Sequence, residues 1–207
     1  MVGKKVKILA KIGLDVLYVI IVLITYFVTM FSYNDVVGVS VTEIVDEADG
    51  KNTTSFGDFK DAYCSGKNEI PDDEALCDQV SSWQTAGLIY LVISLFSIAF
   101  CVYGIVRLAL RLGQKDFAFR VKYDLEYSIY PELSLLALIL YIVVSEVFTT
   151  DLPAGYVSAS SESADAEAGL ILMIVAFLIS LASSIYFFLA RKHLEQNSEF
   201  TKPLLSK

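Results

Sequence analysis

Four long apolar stretches, separated by polar segments, dominate the chain. They cover residues 12–31, 85–106, 133–147 and 169–189. A helix needs about 20 apolar residues to cross the hydrocarbon core of a bilayer, and backbone in lipid must satisfy its own hydrogen bonds, which leaves helices for such spans. The third stretch is shorter, but Tyr130, Pro131 and Phe148 extend it. The pattern predicts an all-α membrane protein, a four-helix bundle with spans at about 12–32, 85–107, 131–149 and 168–190.

The basic residues are unevenly divided among the segments that connect these stretches. Most Lys and Arg lie before the first span, in the loop 108–130 or in the tail 191–207, whereas the loops 33–84 and 150–167 contain only Lys51, Lys60 and Lys67. Basic residues concentrate on the cytoplasmic side of membrane proteins. We therefore expect a single membrane domain over residues 1–207, in the plasma membrane, with both termini cytosolic and the loops 33–84 and 150–167 extracellular.

The first outer loop is strongly acidic. Residues 33–83 contain twelve Asp and Glu against three Lys, a net charge of −9. Such a surface disfavours nucleic acid as a partner. Two interpretations stay open: a solvated loop surface, or a surface that concentrates cations. The loop lacks the alternating oxygen ligands of a dedicated calcium loop.

Sequence patterns within this loop predict a small antiparallel sheet. Residues 36–45 are rich in β-branched residues and partly alternate between apolar and polar positions, as a half-buried strand does. Residues 55–63 and 75–80 are the other two predicted strands, and Gly66 and Pro71 indicate a turn between them.

Cys64 and Cys77 flank that turn. In an oxidising compartment they should form a disulfide that links two strands. Cys101 lies inside the second span, where a thiol acts as a small hydrophobe. Asn52-Thr53-Thr54 is an N-glycosylation sequon on the side expected to be extracellular, so glycosylation is predicted at Asn52.

The plan of four spans, cytosolic termini and a cysteine pair in a long first outer loop resembles that of the claudin superfamily. This superfamily includes peripheral myelin protein 22 and claudin-like accessory subunits of ion channels. Gly57, Phe59, Cys64 and Cys77 match the Gly, aromatic and two Cys positions of the family's loop motif, with Phe59 in place of its Trp. Asp58 stands where the family has Leu. The claudin-like membrane organisers of fungi share this plan and remain an alternative.

Charged residues within membrane spans are costly and often mark function. Asp15 lies one turn into the first span, and Arg107 ends the second span on the same side of the membrane. An intramembrane ion pair between Asp15 and Arg107 is one interpretation. The other is that Asp15 lies hydrated at the level of the lipid headgroups.

The sequence shows no set of residues for catalysis. The single histidine, His193, lies in the tail, and neither a phosphate-binding glycine loop nor metal-ligand spacing is present. We therefore predict a non-enzymatic protein with no catalytic residues, cofactor or metal.

The resemblance implies a structural, adhesive or membrane-organising scaffold that self-associates. Aromatic residues are frequent anchors of protein contacts, so the predicted assembly contacts are Phe56, Phe59 and Tyr63. The expected partners are membrane lipids, further copies of the chain or another membrane protein, and cations at the acidic loops. The alternatives are an accessory subunit of a channel, transporter or other membrane complex, and a small cation-conducting pore.

Overall fold

A computed structural model describes residues 2–33, 37–46, 52–64, 73–112, 126–146 and 165–199. Five helices account for most of these residues. They are α1 (Val2–Thr25), α2 (Phe56–Tyr63), α3 (Asp73–Leu112), α4 (Glu126–Ser145) and α5 (Ala168–Glu199). The strands are β1 (Phe31–Tyr33), β2 (Val37–Val39), β3 (Glu43–Asp46), β4 (Asn52–Ser55) and β5 (Asp165–Ala166).

Three of the helices are long and apolar enough to cross a membrane, as an integral membrane protein requires. Their apolar segments are Lys5–Thr25 in α1, Leu76–Leu110 in α3 and Ala168–Ala190 in α5. The last agrees with the predicted span at 168–190. The first begins and ends earlier than predicted, because the chain leaves the helix after Thr25 and enters β1 at Phe31.

The apolar segment of α4, Ile129–Ser145, is shorter than those of the other three helices. The helix ends before the predicted boundary at 149, because Glu146 adopts a left-handed conformation with φ of 54°. The side-chain amide of Gln79 donates a hydrogen bond of 2.9 Å to the carbonyl oxygen of Ser145. This bond satisfies one of the carbonyl groups that a helix leaves unpaired at its C-terminus.

The four long helices pack against one another. α1 contacts α3 and α5, and α4 contacts the same two helices. Apolar side chains that point away from these contacts are largely exposed; among them are Leu88, Phe96, Leu110, Val143 and Leu189. Such an outward-facing apolar surface is expected where lipid, rather than water, surrounds the helices.

The predicted antiparallel sheet is present and has five strands in the order β4-β3-β2-β1-β5. Only the first of the three predicted strand regions forms strands in the described residues. Residues 36–45 contain two strands, because Ser40 forms a turn between them: its hydroxyl accepts hydrogen bonds from the amides of Thr42 and Glu43. β5 comes from the second loop and pairs with β1, with Phe31 opposite Ala166.

The two other predicted strands are wrong, since residues 56–63 form α2, after Ser55 at the end of β4, and residues 75–80 lie in α3. α2 begins where it does because Ser55, in an extended conformation, caps the helix. Its Oγ accepts a hydrogen bond of 3.1 Å from the amide of Asp58 and donates one of 2.7 Å to the Asp58 carboxylate. A Ser N-cap followed by an acidic residue three positions later is a common start of a helix.

Two glycines allow the sheet to approach the helices closely. A Cβ at Gly87 of α3 would clash with the carbonyl oxygen of Val41, in the turn between β2 and β3. A Cβ at Gly169 of α5 would lie 2.6 Å from the carbonyl oxygen of Thr29. The backbone amide of Gly169 also donates a hydrogen bond of 2.8 Å to that oxygen. The sheet is therefore seated directly on the helix backbones.

Candidate functional site

The most unusual feature of the helices is a buried ion pair within α1. The ammonium group of Lys11 lies 2.6 Å and 2.7 Å from the two carboxylate oxygens of Asp15, one helical turn later. The two side chains are 2% and 1% exposed. Both residues lie within the apolar segment Lys5–Thr25. This is a location where charges are rare and need partners.

Side chains from three other helices complete the surroundings of this pair. The hydroxyl of Tyr130 in α4 donates a hydrogen bond of 2.8 Å to Asp15 Oδ1 and accepts one of 3.0 Å from Lys11. Ser183 of α5 donates to the same Oδ1 at 2.6 Å. The thiol of Cys101 in α3 lies 3.6 Å from the backbone oxygen of Asp15. We call these five residues, Lys11, Asp15, Cys101, Tyr130 and Ser183, the polar junction.

The bonding of the polar junction explains how the charges are tolerated. Burying a charged pair costs free energy unless its remaining donors and acceptors are also satisfied. Here the carboxylate accepts bonds from Lys11, Tyr130 and Ser183. The Lys11 ammonium also lies 5.1 Å from the ring centroid of Tyr130 and 5.9 Å from that of Phe187. Both distances are within the range of cation–π attraction.

The prediction that Asp15 pairs with Arg107 is wrong. The structure pairs Asp15 with Lys11, whereas the Arg107 guanidinium carbon lies 5.7 Å from the ring centroid of Tyr103. Lys11 is the partner of Asp15 because it lies four positions earlier, so both side chains project from the same face of α1. The interpretation of Asp15 as a hydrated headgroup residue is also wrong, since it is 1% exposed.

Hydroxyl pairs extend the polar contacts along α1 towards the sheet. Tyr18 bonds Ser97 at 2.5 Å, Thr25 bonds Tyr90 at 2.8 Å, and Tyr26 bonds Ser94 at 2.7 Å. The first two pairs join α1 to α3, and the third joins Tyr26, in the turn directly after α1, to α3. Hydrogen bonds between helices are a main source of specificity where the surroundings are apolar. Together with the polar junction, they fix the register of α1 against its neighbours.

At the opposite end of α1, the sheet, α2 and the first turns of α3 form one unit, which we call the sheet-end module. The predicted disulfide between Cys64 and Cys77 is present. It joins the residue after α2 to α3 rather than linking two strands, because the sequence around Cys64 is helical. Lys60 of α2 also donates a hydrogen bond of 2.8 Å to the side chain of Gln84 in α3. α2 is therefore fixed to α3 at two points.

The three aromatic residues predicted as assembly contacts differ in exposure. Phe56 is only 4% exposed and belongs to the core of the sheet-end module, so it has no surface to offer a partner and that prediction is wrong. Phe59 is partly buried, and Tyr63 is 38% exposed. Their rings lie 4.7 Å apart between centroids. These two residues form an aromatic pair at the surface of α2.

The other predicted site residues occupy separate places in the module. Gly57 and Phe59 lie in α2, and Asn52 begins β4 with its side chain exposed. Exposed carboxylates on α2 and α3 include Asp58, Asp61 and Asp78. In the part of the chain that the structure describes, no three His, Cys, Asp or Glu side chains come together as a metal site. Many of the other acidic loop residues, including Glu47, Asp49, Glu69, Asp72, Asp151, Glu162, lie outside the described ranges.

Comparison with known proteins finds no protein-family model that matches the chain and no curated protein that is significantly similar to it.

Sequence reasoning missed most of the polar junction. Lys11 is the last of the basic residues at the N-terminus, and its spacing of four positions from Asp15 is the one sequence signal of the pair. Tyr130 and Ser183 gave no comparable signal, because their contact with Asp15 depends on how distant helices pack.

Proposed function

We propose that this protein is a non-enzymatic four-helix membrane protein that acts as a structural, adhesive or membrane-organising scaffold, and that it self-associates through the sheet-end module. The observation that carries the proposal is the aromatic pair Phe59 and Tyr63, held at the surface of α2 while the rest of the module is fixed to the helices. The claudin-like plan of the sequence agrees with this function.

The proposal includes α4 as a fourth span. Its apolar segment is 17 residues long, about 25 Å at 1.5 Å per residue. That length is a few ångströms less than a typical hydrocarbon core, and slight bilayer thinning accommodates such a difference at modest cost. Tyr130 of this segment donates to the buried Asp15. α4 is thus bound to the same polar group as α1 and α5.

The charge asymmetry of the sequence orients this bundle. The N-terminus of α1 and the C-terminal ends of α3 and α5 carry the basic residues, and the sheet-end module carries the acidic ones. By the positive-inside rule, the module is extracellular and both termini are cytosolic. A plasma membrane location fits an adhesive or organising role.

A stiff connection between helices and module suits a scaffold. The sheet contacts helix backbone at Gly87 and Gly169, and the disulfide fixes α2 to α3. An interface residue held rigidly loses little conformational entropy when it binds. The aromatic pair on α2 is therefore favourably prepared for a contact with a second copy.

The acidic surroundings of this surface affect how it associates. Asp58 and Asp61 of α2 are exposed beside the aromatic pair. Two identical acidic faces repel each other unless salt or cations screen them. We therefore expect self-association to strengthen with added salt, and more strongly with divalent cations at equal ionic strength.

Cross-linking of the purified protein in mild detergent tests the contact surface. The Phe59→Ser, Tyr63→Ser double variant should lose most of the oligomer that the unmodified protein forms. Phe27→Ser is a matched control, because Phe27 is an exposed aromatic residue near the end of α1 and is 88% exposed. This control should leave the oligomer unchanged.

The same experiment decides between the scaffold and the accessory subunit. If the double variant keeps its disulfide and still forms the full amount of oligomer, then α2 is not the contact. Association would then depend on the outward faces of the helices, which is the arrangement expected of a subunit that packs against another membrane complex.

A further inference from the structure

The sheet has one unusually exposed edge. Among the residues that the structure describes, the strand order is β4-β3-β2-β1-β5, and β4 pairs with β3 alone. All four residues of β4, Asn52–Ser55, have exposed side chains. At the other edge, β5 is only two residues long. Very short edge strands offer few backbone groups for pairing with another chain. β4 is therefore the edge that needs protection.

The sequence of β4 lacks the usual protective features. Natural edge strands are commonly guarded by charged residues, proline or a bulge. Asn52-Thr53-Thr54-Ser55 contains neither a charged residue nor proline, and its pairing with β3 is regular, from Glu43 opposite Ser55 to Asp46 opposite Asn52. Threonine also favours strand conformation. By its residues alone, this edge is well suited to pair with another strand.

The same residues carry a recognition sequence for a bulky modification. Asn52-Thr53-Thr54 is the only Asn-X-Ser/Thr sequence in the 207 residues. Such sequences accept an N-linked oligosaccharide on a surface segment of a protein that passes through the secretory pathway. Asn52 is exposed at the first position of β4.

We propose that Asn52 carries an N-linked glycan that covers the β4 edge and prevents it from pairing with a second chain. The side-chain nitrogen of Asn52 displaces a polyprenyl pyrophosphate from C1 of a lipid-linked oligosaccharide. A C–N bond forms, the C1–O bond breaks, and the amide proton is released together with the pyrophosphate. The bulk and hydration of the sugar then take the place of the missing charge or proline.

This inference goes beyond the proposed scaffold function and does not depend on it. The proposal concerns the backbone edge of β4, whereas the proposed scaffold contact is the aromatic pair of α2, which follows β4 directly in the chain. Association through the sheet edge and association through α2 are therefore separate events, which different variants affect.

The modification is tested by expressing the full chain in a eukaryotic cell and treating it with peptide N-glycosidase. The unmodified protein should show a shift in electrophoretic mobility. Asn52→Gln and Thr54→Ala should both run at the position of the digested protein. Thr53→Ala is the matched control, since it changes the same strand but keeps the sequon, and it should retain the shift. Absence of a shift in the unmodified protein, or a shift that persists in Asn52→Gln, would overturn the proposal.

The covering role is tested by comparing self-association of glycosylated protein and Asn52→Gln under identical conditions. Asn52→Gln should increase the dimer fraction, and Asn52→Gln with Thr53→Lys should reverse the increase, because a lysine on an edge strand opposes pairing. An unchanged dimer fraction in disulfide-bonded Asn52→Gln protein would contradict the covering role.

Discussion

Two regions of this molecule are held together by opposite kinds of interaction. Around the polar junction, the helices meet through a charged pair and hydrogen bonds from α1, α4 and α5. In the core of the sheet-end module, aromatic rings predominate: Phe31 lies 5.8 Å from Trp83 and 6.4 Å from Tyr141 between ring centroids. The indole N–H of Trp83 has no hydrogen-bond partner among the described residues.

The difference follows from the solvent that each region faces. Between helices in lipid, apolar contact offers little advantage over contact with acyl chains, so polar groups and close packing give the association its specificity. In the proposed orientation the module faces water, where burial of aromatic surface drives folding directly. Apolar substitutions in the polar junction should therefore lower stability strongly. The stability of the module core should depend instead on the volume of its side chains and on the close approach of the sheet to the helices.

The largest effect is expected from breaking the ion pair. Asp15→Ala leaves the Lys11 ammonium buried without its carboxylate, and removal of one partner of a buried pair costs about 3–5 kcal/mol. The free energy of unfolding in detergent should fall by about this amount. Arg107→Ala is the matched control, because Arg107 is not the cation that the structure pairs with Asp15. If Arg107→Ala were as damaging as Asp15→Ala, the assignment of Lys11 would be wrong.

The disulfide should have the next largest effect. Cys64 and Cys77 are 13 positions apart, and closure of a loop of this length stabilises a fold by roughly 3 kcal/mol in the chain-entropy model. The Cys64→Ser, Cys77→Ser variant should unfold at a correspondingly lower denaturant concentration. A reductant should lower the stability of the unmodified protein to that of the variant and leave the variant unchanged. A further loss in the variant would indicate that the reductant acts elsewhere.

The close contact between the sheet and α3 should be disturbed by the addition of a single methyl group. Gly87→Ala would place a Cβ against the Val41 carbonyl and force the turn between β2 and β3 away from α3. Overpacking of this kind costs about 1–3 kcal/mol. Gly13→Ala in α1 adds the same methyl group where nothing lies within 4 Å and should not lower stability. Equal losses in both variants would argue against the close contact of sheet and helix.

The smallest effect is expected from the hydroxyl pair between Tyr26, in the turn directly after α1, and Ser94 of α3. Tyr26→Phe removes the 2.7 Å bond to Ser94 and leaves the ring in place. Hydrogen bonds between membrane helices average about 0.6 kcal/mol, so the melting temperature should fall only slightly. A loss as large as that of Asp15→Ala would show that the hydroxyl pairs, rather than the ion pair, hold α1 in place.

Features that depend on local sequence were predictable. The apolar stretches located the long helices, although α1 begins and ends earlier and α4 ends earlier than the predicted spans. Cys64 and Cys77 were correctly paired, because two cysteines in one polar loop have few alternatives. The sequence also contains a signal for the helix that begins after Ser55, since Asp58 follows Ser55 by three positions. The β-like pattern of residues 55–63 predicts a strand instead.

Features that depend on packing were not predictable. The pairing of β5 with β1 brings together residues more than 100 positions apart through a strand of only two residues, Asp165–Ala166. In the sequence, Gly87 looks like any other glycine of an apolar helix. Its role in close packing depends on the turn at Val41, which lies beside it only in the folded structure. The partner of Asp15 required knowing which face of α1 is buried. These contacts are set by the arrangement of the helices rather than by neighbouring residues.

A double-mutant cycle between Asp15 and Tyr130 tests the central claim, that the polar junction joins separate helices, most directly. The free energies of unfolding of Asp15→Ala, Tyr130→Phe and the double variant give the coupling between a residue of α1 and a residue of α4. Directly bonded groups typically show couplings of about 0.5–3 kcal/mol, and we predict a value in this range. The parallel cycle of Asp15→Ala with Arg107→Ala should give a coupling near zero. Additive effects for Asp15 and Tyr130, or a strong coupling of Asp15 to Arg107 instead, would contradict this account.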